Sequence, residues 1–394
     1  MARILATLFF ATTLVLATAL AGTWWFTYQL MQSTNPPPPE PLPAVLPNPQ
    51  VSPLQVHYQL DLPGRGEIFP ALAASNAIDY WPVAVLTISN TSDRPVLQTI
   101  SAEIPEWSRR STKTLIVGPR ETRVVHINPE LLPQAYQNAE IRRALLELRA
   151  TSPGNQSGFD QTRPVFLHAV SDLYWGSKFA NAQFIARWVT PHDPAVIRLV
   201  SSARNYIPAG RLAGYRLPGN APDRVTAQVR NQARAVFEAM RHIGISYVDS
   251  LFTFGNFTGE AQRVRLPRET LSLSSANCVD VSVAFASAME NLGMDPVIVI
   301  VPGHAFAGVR VAPESRQILY LDLTVLPEGS LERAISRAEY WLKKTPANRE
   351  LVIDIAAARA LGIYPIPLPV QAHSATPKAF QHEASKKHLT DHSG

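Results

Sequence analysis

The chain holds one cysteine, Cys278, in 394 residues. That excludes an intrachain disulfide and any cysteine-rich zinc site. Charge is sparse as well: only 17% of residues are Asp, Glu, Lys or Arg. The net charge of +5 is spread along the chain rather than clustered, which gives no footing for nucleic-acid binding. No acidic run has the spacing of a calcium loop, and no internal repeat is visible. No metal or cofactor is expected. Two things are in good supply. The hydrophobic content of 46% supports ordinary cores, and the 34 prolines point to linkers and loops.

From Ile4 to Tyr28 there is no charged residue at all. Such a stretch is long enough to span a bilayer. Arg3 precedes it, and the next basic residue is Arg65, so the positive-inside bias puts the body outside the cytoplasm. Trp24, Trp25 and Tyr28 fit an interfacial belt. A cleaved signal peptide is the rival reading, since Ala19-Leu20-Ala21 is an A-x-A site. The apolar run continues past that site, which favours an uncleaved anchor at 1–31. Either way the body is expected on the extracytoplasmic side, in the periplasm or at the cell surface, with the membrane as a partner.

Residues 32–53 read as a stiff proline-rich linker. From 54 to 175 short β-branched runs alternate with polar turns, as in an antiparallel sandwich. Examples are 83–88, 96–104, 112–117 and 122–127. His57, His126 and His168 read there as ordinary strand histidines, and no chemical constellation is evident. From 179 to 366 the pattern turns α+β. Pro222 to Ile243 places Val229, Ala233, Val236, Phe237 and Met240 on one helical face. A second helix is expected from Cys278 to Leu292, stopped by Gly293. Val297–Val301 reads as a buried strand, His304–Val311 and Gln317–Thr324 as a hairpin, and Glu332–Lys344 as a further helix. Residues 247–270 read as loop. The tail, 367–394, carries four histidines and reads as a disordered end.

Three residues stand where acyl-transfer chemistry would need them. A thiolate is the reactive form of cysteine, and an unperturbed pKa near 8.5 leaves little of it at neutral pH. A helix N-terminus favours the anion, and Cys278 opens the predicted helix with Asn277 or Ser275 as its cap. His304 would take the thiol proton and return it to the leaving group. With a hairpin turn centred on Glu314, Phe306 lies opposite Asp322, and His304 and Asp322 become diagonal neighbours on one face. The Asp322 carboxylate can then orient the imidazole. The N–H of Cys278 is one natural oxyanion donor. Gln262 is a candidate for the second, because a side-chain amide suits the role. A lone cysteine is most often a small buried hydrophobe. A carboxylate inside an apolar strand, however, is costly without a partner.

The segments 262–267, 277–280, 285–294, 302–306 and 321–324 together resemble the transglutaminase-like superfamily, a branch of the papain-like cysteine enzymes. Bacterial exported members are the nearer likeness, and the resemblance runs from Pro222 to Thr324. It implies a papain-like α+β domain with Cys278 as nucleophile, His304 as base and acid, and Asp322 as orienter. The expected fold class is therefore α+β: a transmembrane anchor, an antiparallel β-sandwich, then a transglutaminase-like domain. The expected function is a thiol hydrolase or acyltransferase acting on peptide or amide bonds, with cell-envelope peptides or proteins as substrates. The alternative is a non-catalytic binding or scaffold protein on the same fold. Val279 stands where crosslinking members carry tryptophan, which argues against that activity.

Overall fold

The computed structural model describes residues 56–73, 82–153, 155–216, 222–248 and 261–368. Alternation of apolar and polar residues builds the first part. Strands β1 (Val56–Asp61), β3 (Ala84–Asn90) and β6 (Thr122–Ile127) form one antiparallel sheet, in the order β1-β3-β6. A five-stranded sheet has the order β2-β8-β7-β4-β5. Its members are β2 (Glu67–Ile68), β4 (Val96–Glu103), β5 (Ser111–Val117), β7 (Arg142–Ser152) and β8 (Asn155–Leu167). Strands with period-2 burial present one face inward. Leu86 and Ile88 from the first sheet share a core with Ile100, Leu146 and Leu148 from the second. That core continues into the second half of the chain, taking in Val264, Val279, Ile298 and Ile363. All described residues fall in one compact unit, 55–394.

The second half is built on a four-stranded antiparallel sheet. Strand β9 (Asp172–Tyr174) leads out of the first half and pairs with β11 (Ala261–Arg263), while β10 (Ser246–Tyr247) pairs with β12 (Ser275–Ala276). The sheet itself has the order β15-β14-β13-β16, from β13 (Pro296–Val301), β14 (His304–Arg310), β15 (Ile318–Leu321) and β16 (Leu351–Asp354). All six residues of β13 are buried, as a central strand covered on both faces requires. Helices α1 (Pro194–Ala203), α2 (Pro222–His242), α3 (Pro267–Leu273) and α4 (Cys278–Asn291) precede this sheet, and α5 (Leu331–Lys344) and α6 (Ile355–Ala360) follow its strands β15 and β16. Ala307, Val309 and Leu321 on one face of the sheet pack with Phe285 and Ala288 of α4. Val297, Val299, Val301 and Phe306 on the other pack with Ala338 and Trp341 of α5.

The expected fold class, with a transmembrane anchor at its head, is corrected to an α+β chain with several sheets. Among the described residues no helix is long and apolar enough to cross a membrane. The 21-residue α2 has the length but is amphipathic, with Arg230, Arg234 and Arg241 on its solvent side and Val229, Ala233 and Val236 in the core. The anchor at 1–31, the linker at 32–53 and the tail from 369 on lie outside the described residues. The segment 247–270, read as loop, is a second difference. It contains β11 and the whole first part of α3, while 249–260 lies outside the described residues. Pro267 at the first helical turn and Glu269, whose Oε2 accepts from the Leu266 N–H at 3.1 Å, are the start signal that the loop reading passed over.

Candidate active site

Cys278 is the first residue of α4. Asn277 caps the helix: its Oδ1 accepts from the N–H groups of Val279 at 2.8 Å and Asp280 at 2.9 Å. Its carbonyl takes the Val281 N–H. Asp280 reciprocates, accepting from the Asn277 N–H at 3.2 Å, which completes a capping box. Its other oxygen accepts from the Arg265 N–H at 2.8 Å, tying the 263–266 segment to the helix start. Burial pushes the Asp280 carboxyl up to about 6, against the lowering effect of those two N–H groups. The cap thus consumes the N–H groups of 279, 280 and 281. No acceptor among the described residues takes that of Cys278. It remains as an anion donor beside its own sulfur.

His304 enters from the sheet. A two-residue turn at Pro302-Gly303 joins β13 to β14, pairing Val301 with His304. Gly303 has φ +76°, a conformation that favours glycine. His304 is therefore held at the mouth of the hairpin. The β14–β15 register pairs Ala307 with Leu321 and Arg310 with Ile318, and it is centred on Glu314. The same count sets Phe306 opposite Asp322, so His304 and Asp322 share the face that carries Phe306 and Tyr320. Strand β15 ends at Leu321, and Asp322 caps a short 3₁₀ turn, Leu323–Val325.

The structure brings Cys278, His304 and Asp322 together. His304 Nε2 lies 2.9 Å from Asp322 Oδ2. Cys278 is the other side-chain hydrogen-bond partner of His304. With Nε2 engaged by Asp322, Nδ1 is the ring nitrogen left for the thiol. Asp322 is fully buried, and its Oδ1 accepts from the Thr324 hydroxyl at 2.7 Å and the Thr324 N–H at 3.1 Å. Burial alone would raise this carboxyl, but the hydrogen bonds from His304 and Thr324 hold it below the usual range. Burial alone would likewise lower His304. Its hydrogen bonds to Asp322 and Cys278, and their negative charge, outweigh that and push it up to about 9.

Gln262 sits on β11, opposite Leu173 of β9. Its Oε1 accepts from the Trp175 indole Nε1 at 3.0 Å. An indole nitrogen can only donate, so this bond sets which way the amide faces. The Gln262 NH₂ is left as the donor end. No hydrogen bond joins Gln262 to Cys278, His304 or Asp322, so the structure does not bring it into contact with that set.

Three features went unread in the sequence. Trp341 of α5 stacks on the His304 ring, with centroids 4.7 Å apart and planes at 29°. Arg337 of the same helix reaches Asp322. The third lies at the junction of the two halves. There His168, buried completely, has Nε2 2.5 Å from Glu67 Oε2 and Nδ1 3.2 Å from Asp172 Oδ2. Its ring stacks on Phe69. Burial lowers His168, but the two carboxylates outweigh it and the imidazole is raised. Nothing local in the sequence marks a partner 101 residues away; Glu67 beside the apolar Ile68-Phe69 was the one available hint. Among the described residues no group of three His, Cys, Asp or Glu is arranged to hold a metal ion. The sequence matches no protein-family model and no curated protein.

Proposed function

We propose that this chain is a cysteine-nucleophile hydrolase or acyltransferase of the transglutaminase-like kind, acting on peptide or amide bonds through Cys278, His304 and Asp322. The observation that carries the reading is the imidazole of His304, shared between a thiol at a helix start and a buried carboxylate. An imidazole pushed up to about 9 in such company is suited to carry the proton that the leaving amine needs.

The steps follow from these groups. The Cys278 sulfur attacks the carbonyl carbon, and the C=O electron pair moves to oxygen. The Cys278 N–H, with the Gln262 NH₂ as the second donor, stabilises that oxyanion. As the tetrahedral species collapses, His304 gives its proton to the leaving amine and the C–N bond breaks. This leaves a thioester on Cys278 and a neutral imidazole. His304 then takes a proton from water, or from an acceptor amine, as it attacks the thioester. Collapse of the second tetrahedral species releases the acid or the new amide, and the proton returns to the Cys278–His304 pair. Asp322 stays ionised and holds the ring. Envelope peptides or proteins are the proposed substrates, on the expectation that the body is exported.

The test is covalent capture. The full-length protein is treated at pH 7 with a peptidyl acyloxymethyl ketone and read by intact mass. We expect one adduct, on Cys278, that slows about tenfold or more in His304→Ala. Labelling that is equally fast in the histidine variant, or that occurs only after unfolding, overturns the proposal.

A further inference from the structure

Helix α5 runs over the sheet face that carries His304 and Asp322. Ala334, Arg337 and Trp341 lie three and four residues apart, so they form one stripe along it. Each contacts the histidine–carboxylate couple. The Ala334 carbonyl accepts from the Asp322 N–H at 3.0 Å. Arg337 Nε sits 3.2 Å from Asp322 Oδ2. Trp341 covers the His304 ring. The oxygen that Arg337 approaches is the one that already takes His304 Nε2 at 2.9 Å. Asp322 Oδ1 is spent on Thr324. One carboxylate oxygen is therefore divided between an imidazole and a guanidinium.

We infer that Arg337 is a positioning residue of this site: it pins Asp322 in its ionised form and, by sharing Oδ2, limits how firmly that carboxylate retains the proton of His304. The inference rests on reading Cys278, His304 and Asp322 as a working set. A buried carboxylate with a single imidazolium partner would hold that proton tightly, whereas a general acid must give it up to the leaving group. A second cation on the same oxygen weakens the grip. The charged or titratable groups facing His304 are Asp322 from the 3₁₀ turn, Cys278 from α4 and Arg337 from α5. Lys344, also of α5, sits over the Trp341 ring with Nζ 5.3 Å from its centroid. Of the two cations, only Arg337 meets the carboxylate. Its side chain is half exposed, so its influence is open to screening by salt.

The experiment is a ¹³C-histidine NMR titration of the full-length protein, with the His304 signal assigned by its loss in His304→Ala. Arg337→Gln is expected to raise the His304 midpoint by about half a pH unit or more, the size of one charge removed at about 5 Å in a water-like dielectric. Arg337→Lys is expected to recover most of the wild-type value. Salt at 1 M is expected to shrink the difference between wild type and Arg337→Gln. If Arg337→Gln does not fold, Arg337→Leu keeps the stem packing and takes its place. An unchanged midpoint in the charge-removing variant, whatever its melting temperature, overturns the inference and leaves Arg337 a surface ion pair. The titration needs no turnover. A shifted midpoint without Cys278 capture would fail the catalytic reading alone, and capture with an unshifted midpoint would fail this inference alone.

Discussion

Among the described residues two buried histidine–carboxylate assemblies can be compared, and they differ in what the imidazole faces besides its first carboxylate. His168 is held between Glu67 and Asp172, with a carboxylate on each ring nitrogen. His304 has a carboxylate on Nε2, with the Cys278 thiol as its other side-chain partner. Both imidazoles are raised; His168 is fully buried, while the His304 side chain keeps 7% of its surface exposed. The difference is in the second partner. A ring closed by two carboxylates has no nitrogen with which to pass a proton onward, so its value is structural. It bridges two buried acids where β2 of the first half meets β9, the strand that pairs with β11, and Arg263 Nε lies 3.9 Å from the Oδ1 of Asp172. A raised histidine is therefore not by itself a functional mark; the identity of what faces its second nitrogen decides.

Four changes would break or sharpen that contrast. Cys278→Ala should have the largest effect, removing acyl-enzyme formation and lowering any turnover by about 10³-fold or more. Turnover that survives the change would put the chemistry elsewhere. His168→Leu should come next, but in stability. Stranding two buried acids is expected to cost roughly 3–5 kcal/mol in chemical denaturation. The rate of Cys278 capture per folded molecule should stay the same; a rate that falls with it would make the two assemblies one.

The third is the pH dependence of His304. Its folded pKa, about 9, stands above the unfolded value near 6.5. The stabilisation it supplies is full below pH 6.5 and is lost as pH rises through about 9. The melting-temperature gap between wild type and His304→Ala should thus be wide at pH 6 and narrow at pH 10. A gap that widens with pH would mean the imidazole is buried neutral. The smallest effect is expected from Asn277→Ala, about 1 kcal/mol for loss of a helix cap. Thermal melts measure this. A loss several times larger would show that the cap also braces the Arg265 segment through Asp280.

The geometry of the candidate site was legible where it is local. Asn277 before an apolar run marks the start of α4, and it places Cys278 there. The alternation through 304–324, with polar Pro313 to Arg316 between, carries the β14–β15 register and with it the shared face of His304 and Asp322. The α5 stripe was not legible in the same way. Arg337 and Trp341 fit any amphipathic helix, and nothing in their spacing says which sheet face they will cover. The Trp175–Gln262 bond joins residues 87 apart, through a strand pair too short to show a period.

The amino-acid sequence alone determined the helix that presents the only thiol and the pairing of His304 with Asp322. Each rests on short-range periodicity and capping, which act within one or two turns or a single hairpin. Tertiary structure alone decided that the thiol meets the imidazole and that Arg337 and Trp341 close over the couple. It also decided that His168 is sealed between two acids. Those contacts join elements distant in the chain, where chain connectivity carries no signal and packing of the shared core selects the neighbours.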